Sequence, residues 1–539
     1  MSDNRIENIF PHPSIRLQQQ DAIDFILKKF SENKKYVILE AGTGVGKSAI
    51  AYTVSEFLRR HTLCNDQYTS GGNFLTTQKI LQEQYERDFK KLGMNSVYSS
   101  SNYTCKFHKQ NTCSESSRLL RTATKGDKFW NACMFNCPYK KAKSNFVDGN
   151  HGVTNFSYFL AETTYAGKTP KRNLLVIDEA HNIQNELSKF IEVSVSKRFC
   201  EGVLNLKFPK DLTTQKKTYD WIVGIYYPKI LSMTSHIENM LEKYAGLKNK
   251  LQQFVKLAHR FEILDKYSCK LKRFVEVYHK DNWVSNNLID DTGTVQKIEF
   301  KPIDVSYFAH DSLFVHGDKI LMMSATILDK SGFCDMLGLK QSDVSFMRID
   351  SPFESKNKPI FFHPIGKMSA KNIDQTLPLM AAAIKQILSS HKHEKGIIHC
   401  HSFKIANYLK RNIRNSRLLI HDSSNRNEVL KEHISSKKPT VLLSPSMTEG
   451  IDLKDDLSRF QVLCKIPYPY LGDKLVRKKM NKWNWWYPLE TAKKIVQSTG
   501  RSIRNENDFA VTYILDADWD MFFSRNRHMF PKEFIECLV

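Results

Sequence analysis

The sequence predicts an α/β protein with two parallel-sheet cores, the first of them interrupted by two insertions. Three observations carry this reading. Short apolar runs alternate with helical periodicity over 35–184 and again from about 358 onward, the pattern of strands joined by crossover helices. Between 96 and 147 that alternation gives way to a segment holding four of the eleven cysteines. Residues 185–297 carry long helical periodicity with few glycines. At 539 residues the chain exceeds one ordinary domain.

Taken in order, "KKYVILE" reads as a strand, "AGTGVGKS" as a loop and "AIAYTVSEFLRR" as a helix. "GNFLTT" is the next strand, before the helical "QKILQEQYERDFKKL". After the cysteine segment come "HGVTNFSYFLAE" and the apolar strand of "RNLLVIDEAHN". "SHIENMLEKYAGLKNKLQQFVKLAHRFEIL" marks the helical insertion, "TGTVQKIEFKPIDVS" returns to strands, and "DKILMMSATIL" adds another strand to the first core. The second core runs through "KGIIHCHS", "SRLLIHD", "PTVLLSPS", "RFQVLCKIP" and "AVTYILD" with helices between. The expected boundaries are 1–95, 148–184 and 298–335 for the first core, 96–147 and 185–297 for its insertions, and 336–539 for the second core.

The 80 Lys and Arg against 57 Asp and Glu give a net charge of +23. Such an excess suits a polyanionic partner, most simply nucleic acid; colloidal solubility is the plainer alternative. The N-terminal residues lack a signal pattern, and no apolar run approaches the ~18–20 residues of a membrane span. The expectation is a soluble intracellular protein without a membrane partner. The seven scattered cysteines read as small core residues.

"EAGTGVGKS" sits between strand and helix, where a phosphate loop belongs. Gly42, Thr43, Gly44 and Gly46 let backbone N–H groups approach phosphates; Lys47 reaches the β/γ-phosphates and Ser48 holds Mg²⁺. The strict pattern wants glycine where Ala41 stands. In "VIDEAH", Asp178 is placed to hold the Mg²⁺ and Glu179 to deprotonate an attacking water; His181 either couples the site to the second core or satisfies a local hydrogen bond. "QSTGRSIR" sets Gln497, Arg501 and Arg504 toward one helix face, where arginine stabilises developing phosphate charge. Cys105, Cys113, Cys133 and Cys137 are separated by 7, 19 and 3 residues, and four thiolates suit zinc or an iron–sulfur cluster alike.

In this order "AGTGVGKS", "DEAH", "MSATI", "TEGID" and "QSTGRSIR" resemble the superfamily 2 helicases. "IRLQQQ", "FLTTQKILQEQ", "GVTNFSYFL", "EFKPIDVS" and "KIPYPYLGD" resemble its iron–sulfur XPD/DinG-like branch. The resemblance runs from about residue 14 to the C-terminus and is weakest over 185–295. It implies two RecA-like cores, with an Fe–S insertion and a helical arch-like insertion in the first. It implies ATP and Mg²⁺ between the cores, with Gly450 and Asp452 of "TEGID" added to the nucleotide site, and a [4Fe–4S] cluster on the four cysteines.

The implied activity is ATP-dependent 5′→3′ translocation on single-stranded DNA with unwinding of forked or tailed duplex. Thr77, Gln78 and Ser402 would face the strand, a helix cap being the alternative for Thr77 and Ser402. Tyr103, Phe107 and Trp130 read as packing, with base stacking as the alternative. A translocase that does not separate strands and a nucleic-acid-binding scaffold with a vestigial ATPase are the rival readings. The family expectation is a monomer, cytoplasmic in a microbe or virus-infected cell and nuclear in a eukaryote. "LDADWD" departs from the family by placing Asp518 where an arginine often follows the last strand's Asp516.

Overall fold

The computed structural model describes residues 4–42, 44–209, 212, 214–351, 353–422, 425–445, 453, 455–500 and 508–539. Strand β1 (Tyr36–Ala41) is buried at every position, as a strand covered by helices on both faces must be. β2 (Thr69–Thr76), β3 (Met94–Ser96), β4 (His151–Asn155) and β5 (Arg172–Ile177) follow it. The chain then adds three antiparallel strands in a separate sheet, β6 (Val193–Ser196), β7 (Trp283–Ile289) and β8 (Val295–Pro302), ordered β6-β8-β7. β9 (Gly317–Ser324) and β10 (Val344–Ile349) return to the first sheet, which is parallel throughout and ordered β10-β1-β9-β5-β2-β4-β3.

The second sheet comprises β11 (Ile360–Gly366), β12 (Gly396–His399), β13 (Leu418–Ile420), β14 (Val441–Ser444), β15 (Phe460–Leu463) and β16 (Val511–Asp516). It too is parallel, ordered β11-β16-β15-β12-β14-β13. Two features differ from expectation. The boundary between the cores falls beyond β10, not at 335/336, because Val344–Ile349 pairs in parallel with β1. "TGTVQKIEFKPIDVS" does not feed the first sheet. β8 buries alternate residues, Ile298 and Phe300 among them, and a strand with one wet face pairs antiparallel with β6 and β7 instead.

The helical insertion is dominated by the helices Tyr227–Tyr244 and Leu251–Val277. Their buried Ile237, Leu241, Phe254, Leu264 and Phe274 join one apolar cluster with Ile38, Leu175 and Ile177 of the first sheet, so the insertion shares that core. The cysteine segment is poorer in apolar packing. Its helices Cys113–Arg118 and Lys128–Phe135 are started by Thr112, in a capping box with Glu115, and by Asp127. Arg118 reaches Glu262 of the helical insertion at 3.1 Å. Among the described residues no helix is long and apolar enough to cross a membrane.

A buried ion network fastens the helix Lys47–His61 to β4. Glu56 receives Arg59 and Arg60 at 2.6 Å and His151 at 2.8 Å, and His151 also meets Ser55 at 3.1 Å. Burial raises the Glu56 pKa, but the hydrogen bonds from Arg59, His151 and Arg60 prevail and hold the carboxyl well below its ordinary value. Glu56→Ala should cost about 2–3 kcal/mol at neutral pH, less than a fully buried pair because Arg59 and Arg60 keep contact with water. A depressed carboxyl stabilises above its unfolded pKa and loses that contribution as pH falls. The gap between variant and wild type in urea unfolding should therefore narrow below about pH 4.

Candidate active site between the cores

Parallel strands deliver their C-terminal ends to one edge of a sheet, and the site is assembled there. β1 ends at Ala41, whose fully buried side chain packs in the core and which pairs with Ile349; this strand position has no need of glycine. The loop beyond it does. Gly44 and Gly46 adopt φ of +87° and +86°, and a Cβ would lie 2.4 Å from the Phe353 ring at the first and 2.5 Å from Gln19 Nε2 at the second. Three residues that the motif does not include therefore shape the loop. Arg16 Nη1 donates to the Gly44 carbonyl at 2.9 Å, Gln19 Nε2 donates to the Val45 carbonyl at 2.8 Å, and Phe353 packs on Gly44. "IRLQQQ" was a visible signal for the first two. Lys47 Nζ donates to the Ala41 carbonyl at 3.0 Å.

A second buried carboxylate anchors the start of the loop. Glu40, 3% exposed, accepts from Arg348 Nε of β10 at 2.9 Å and from the Leu328 N–H at 2.9 Å. Arg348 also donates to the Leu328 carbonyl, holding that residue at φ +63°. Burial pushes the Glu40 carboxyl up, and the Arg348 charge works against that rise. Arg348 lies in no recognisable motif.

Asp178, at the end of β5, is buried, with Glu179 beside it at φ +51°. Burial, reinforced by the Glu179 charge, pushes the Asp178 pKa from 3.8 up to about 6, against Lys47, the Glu179 N–H and the Tyr85 hydroxyl. Tyr85, on the helix Lys79–Phe89, donates its hydroxyl to Asp178 Oδ2 at 3.2 Å.

From Glu179 a chain of polar contacts crosses to the second core. His181 Nδ1 lies 3.3 Å from Glu179 Oε2 and 2.8 Å from Ser324 Oγ. Ser324 Oγ accepts from the Thr326 N–H at 3.0 Å, and Gln497 Nε2 donates to Thr326 Oγ1 at 3.1 Å. His181 thus makes a local hydrogen bond with Ser324 and stands in a line of contacts that ends at Gln497. The cleft between the cores measures about 610 Å³ and is lined by Lys47, Ser48, Asp178, Glu179, Gln497 and Phe353 among others. Thr43, Gly450, Asp452, Arg501 and Arg504 lie outside the described residues.

Other expected site residues sit as follows. Gln78 lines this cleft, and the Thr77 hydroxyl is buried without a partner among the described residues. Ser402 Oγ accepts from the Ile405 N–H at 3.1 Å and caps the helix Phe403–Asn412. Tyr103 lies against Tyr98 and Tyr139, Phe107 against Phe129 and Trp130 against Phe135, with Phe107 and Phe135 exposed. Asp516 is buried and accepts from the Met368, Ile466 and Asp518 N–H groups, so it braces the end of β16.

The Cys113 and Cys137 sulfurs are 3.3 Å apart, and the charges of Cys137, Cys133 and Cys105 join burial in pushing the Cys113 pKa up to about 12. Cys105 accepts from the His108 N–H at 3.3 Å. Four thiols gathered with an amide donor fit a four-thiolate group chemically. Among the described residues, no three such side chains are already disposed around a metal position.

Two parallel-sheet cores facing across a cleft, with a phosphate loop and an acidic strand end on one side, define the class of two-core RecA-like proteins. The family described as "Helicase C-terminal domain" matches residues 384–535, and "Type III restriction enzyme, res subunit" matches 12–206. The chain is 24% identical to the ATP-dependent DNA helicase DinG of Photobacterium profundum over 43% of its length, a match spanning 36% of that relative. It is 21% identical to a probable ATP-dependent helicase of Methanocaldococcus jannaschii, over 95% of this chain and 94% of the other. A solved XPD helicase superposes with a TM-score of 0.65 at 15% identity, covering 96% of this chain and 98% of that one. These matches make the chain similar to the XPD/DinG-like superfamily 2 helicases.

Tyr85→Phe keeps the buried ring and removes only the donor to Asp178. A hydrogen bond to a charged group contributes about 1.5 kcal/mol or more, so Mg²⁺-dependent nucleotide binding should weaken about tenfold while metal-free binding is unchanged. Nucleotide titrations with and without Mg²⁺ check this.

Proposed function

We propose that the protein is an ATP-dependent DNA helicase, moving 5′→3′ along single-stranded DNA and separating the duplex ahead. The observation that carries this reading is the polar chain Glu179–His181–Ser324–Thr326–Gln497. It joins the group placed to activate water to the core that must move, so cleft closure and hydrolysis are linked. Lys47 neutralises phosphate charge, Ser48 and Asp178 hold Mg²⁺, and Glu179 takes the proton of the attacking water. Mg²⁺ held there would supply neutralisation of the phosphate charge. Arg501 and Arg504 are assigned to the phosphates from the second core by the motif alone. The raised Asp178 pKa is consistent with a carboxylate whose charge is to be met by a cation.

Cys105, Cys113, Cys133 and Cys137 would hold a [4Fe–4S] cluster, which would staple an insertion too small to bury its own core. Lys106, Lys109, Lys140 and Lys141 around it would face DNA phosphates, whereas Lys143 is paired with Glu162. Protein purified without oxygen should contain about four irons and four acid-labile sulfides per chain. One zinc and no sulfide would overturn the cluster and leave the motor cores intact.

The decisive enzymatic test is Glu179→Gln. It should bind ATP and single-stranded DNA normally and hydrolyse at least ~100-fold more slowly. Wild type should unwind a 5′-tailed duplex and leave a 3′-tailed one intact. DNA-stimulated hydrolysis without strand separation would reduce the reading to translocation.

A further inference from the structure

A second cleft, of about 320 Å³, opens where the helical insertion meets the second core. One wall is the helix Lys474–Lys482; the other is β7 with the start of the helix Gln215–Trp221. It takes no part in the nucleotide site. The first of these helices, KLVRKKMNK, is strongly basic, and its cations divide by face. Lys479 is buried, with Nζ 5.4 Å from the Trp486 ring centre, and Lys482 pairs with Asp304 at 2.5 Å. Lys474, Arg477 and Lys478, spaced i, i+3 and i+4, line the cleft and are exposed, and among the described residues none of them is in an ion pair. The adjacent carboxylate, Asp473, is committed elsewhere: it accepts from the Leu475 N–H at 2.8 Å and from Asn286 Nδ2 at 3.3 Å.

The facing wall is neutral and hydrogen-bonding, with Thr214, Gln215, Ser285 and Asn287. Gln215 Nε2 already donates to the Lys280 carbonyl at 3.0 Å, and Asn287 Nδ2 to the Leu212 carbonyl at 3.3 Å. Gln215 Nε2 also donates to the Tyr278 hydroxyl at 3.2 Å, which leaves that amide its acceptor oxygen, while Asn287 keeps one N–H as well as its oxygen. A cationic wall opposite a neutral wall of mixed hydrogen-bonding groups matches a strand with phosphates along one side and base edges along the other.

We propose that this cleft binds the sugar–phosphate backbone of single-stranded DNA, gripped jointly by the second core and the helical insertion. The inference rests on DNA being the track, and it adds a site outside the motor motifs. Guanidinium and ammonium groups that lack protein partners gain from phosphate what they do not gain within the fold.

The test is the triple variant Lys474→Glu/Arg477→Glu/Lys478→Glu, titrated against labelled oligo(dT) by fluorescence anisotropy at several salt concentrations. Affinity at ~0.1 M salt should fall at least tenfold. The slope of log K against log salt should drop by about 2, since each single-strand phosphate contact contributes about 0.7. Half-maximal stimulation of ATP turnover should require correspondingly more DNA. Unchanged affinity and slope in a folded variant would overturn the proposal while leaving DNA as the track. Failure of the wild type to bind oligo(dT) would instead sink the track itself. Should the triple variant not fold, Asn481→Cys carrying a photo-crosslinker must capture oligo(dT) in competition with unlabelled strand; no capture refutes the cleft.

Discussion

The parallel register of β1, β9 and β5 is the constraint on which the rest of this structure depends. It pairs Glu40 with Ser324 and Ile177 with Met322, so the phosphate loop, the acidic pair and the Ser324–Thr326 turn leave the sheet side by side. Each group is useless alone. On the proposed reading the loop would present amides to phosphate, the acidic pair would hold the metal and activate water, and the turn would relay position. Only strands that run the same way, hydrogen-bonded in fixed register, bring all three to one edge. The Glu40–Arg348–Leu328 cluster then pins that edge from inside, tying β1, β10 and the chain after β9 through one buried carboxylate.

Charge is arranged at the cleft with opposite intentions. Glu40 is buried and matched by Arg348, so it stays put and organises backbone. Asp178 is buried and under-matched: its amide and phenol donors do not offset burial and the Glu179 charge, and its proton affinity rises. A carboxylate left wanting a cation suits a site meant to receive one. Glu179, half-buried at a strained φ, keeps its side chain in the cleft while His181 fixes its orientation. The same contrast recurs at the second cleft, where paired and unpaired cations share one helix.

The insertions are not appendages. The long helices of 227–277 share an apolar core with the first sheet, and Arg118 joins the cysteine segment to them through Glu262. The cysteine segment is thereby tied to the helical insertion, and that insertion to the sheet that carries the loop and the acidic pair. The helix Lys79–Phe89 has a similar position, with Tyr85 against Asp178 at one point and Gln78 in the cleft at its start.

The sequence by itself determined the local chemistry: the phosphate loop, the acidic strand end, the four thiols, and the alternation that makes both sheets parallel. These are signals of contiguous residues, and short-range backbone geometry suffices to interpret them. It did not determine that β10 belongs to the first sheet, that β8 joins a separate antiparallel sheet, or that Ser402 serves as a helix cap. Nor did it reveal Glu40–Arg348, Tyr85–Asp178 or Gln497–Thr326, whose partners stand 308, 93 and 171 residues apart. The sequence shows which groups the chain has. Only the tertiary structure decides which of them meet, because pairing across such separations is set by how helices pack on the sheets and not by any local preference of the residues involved.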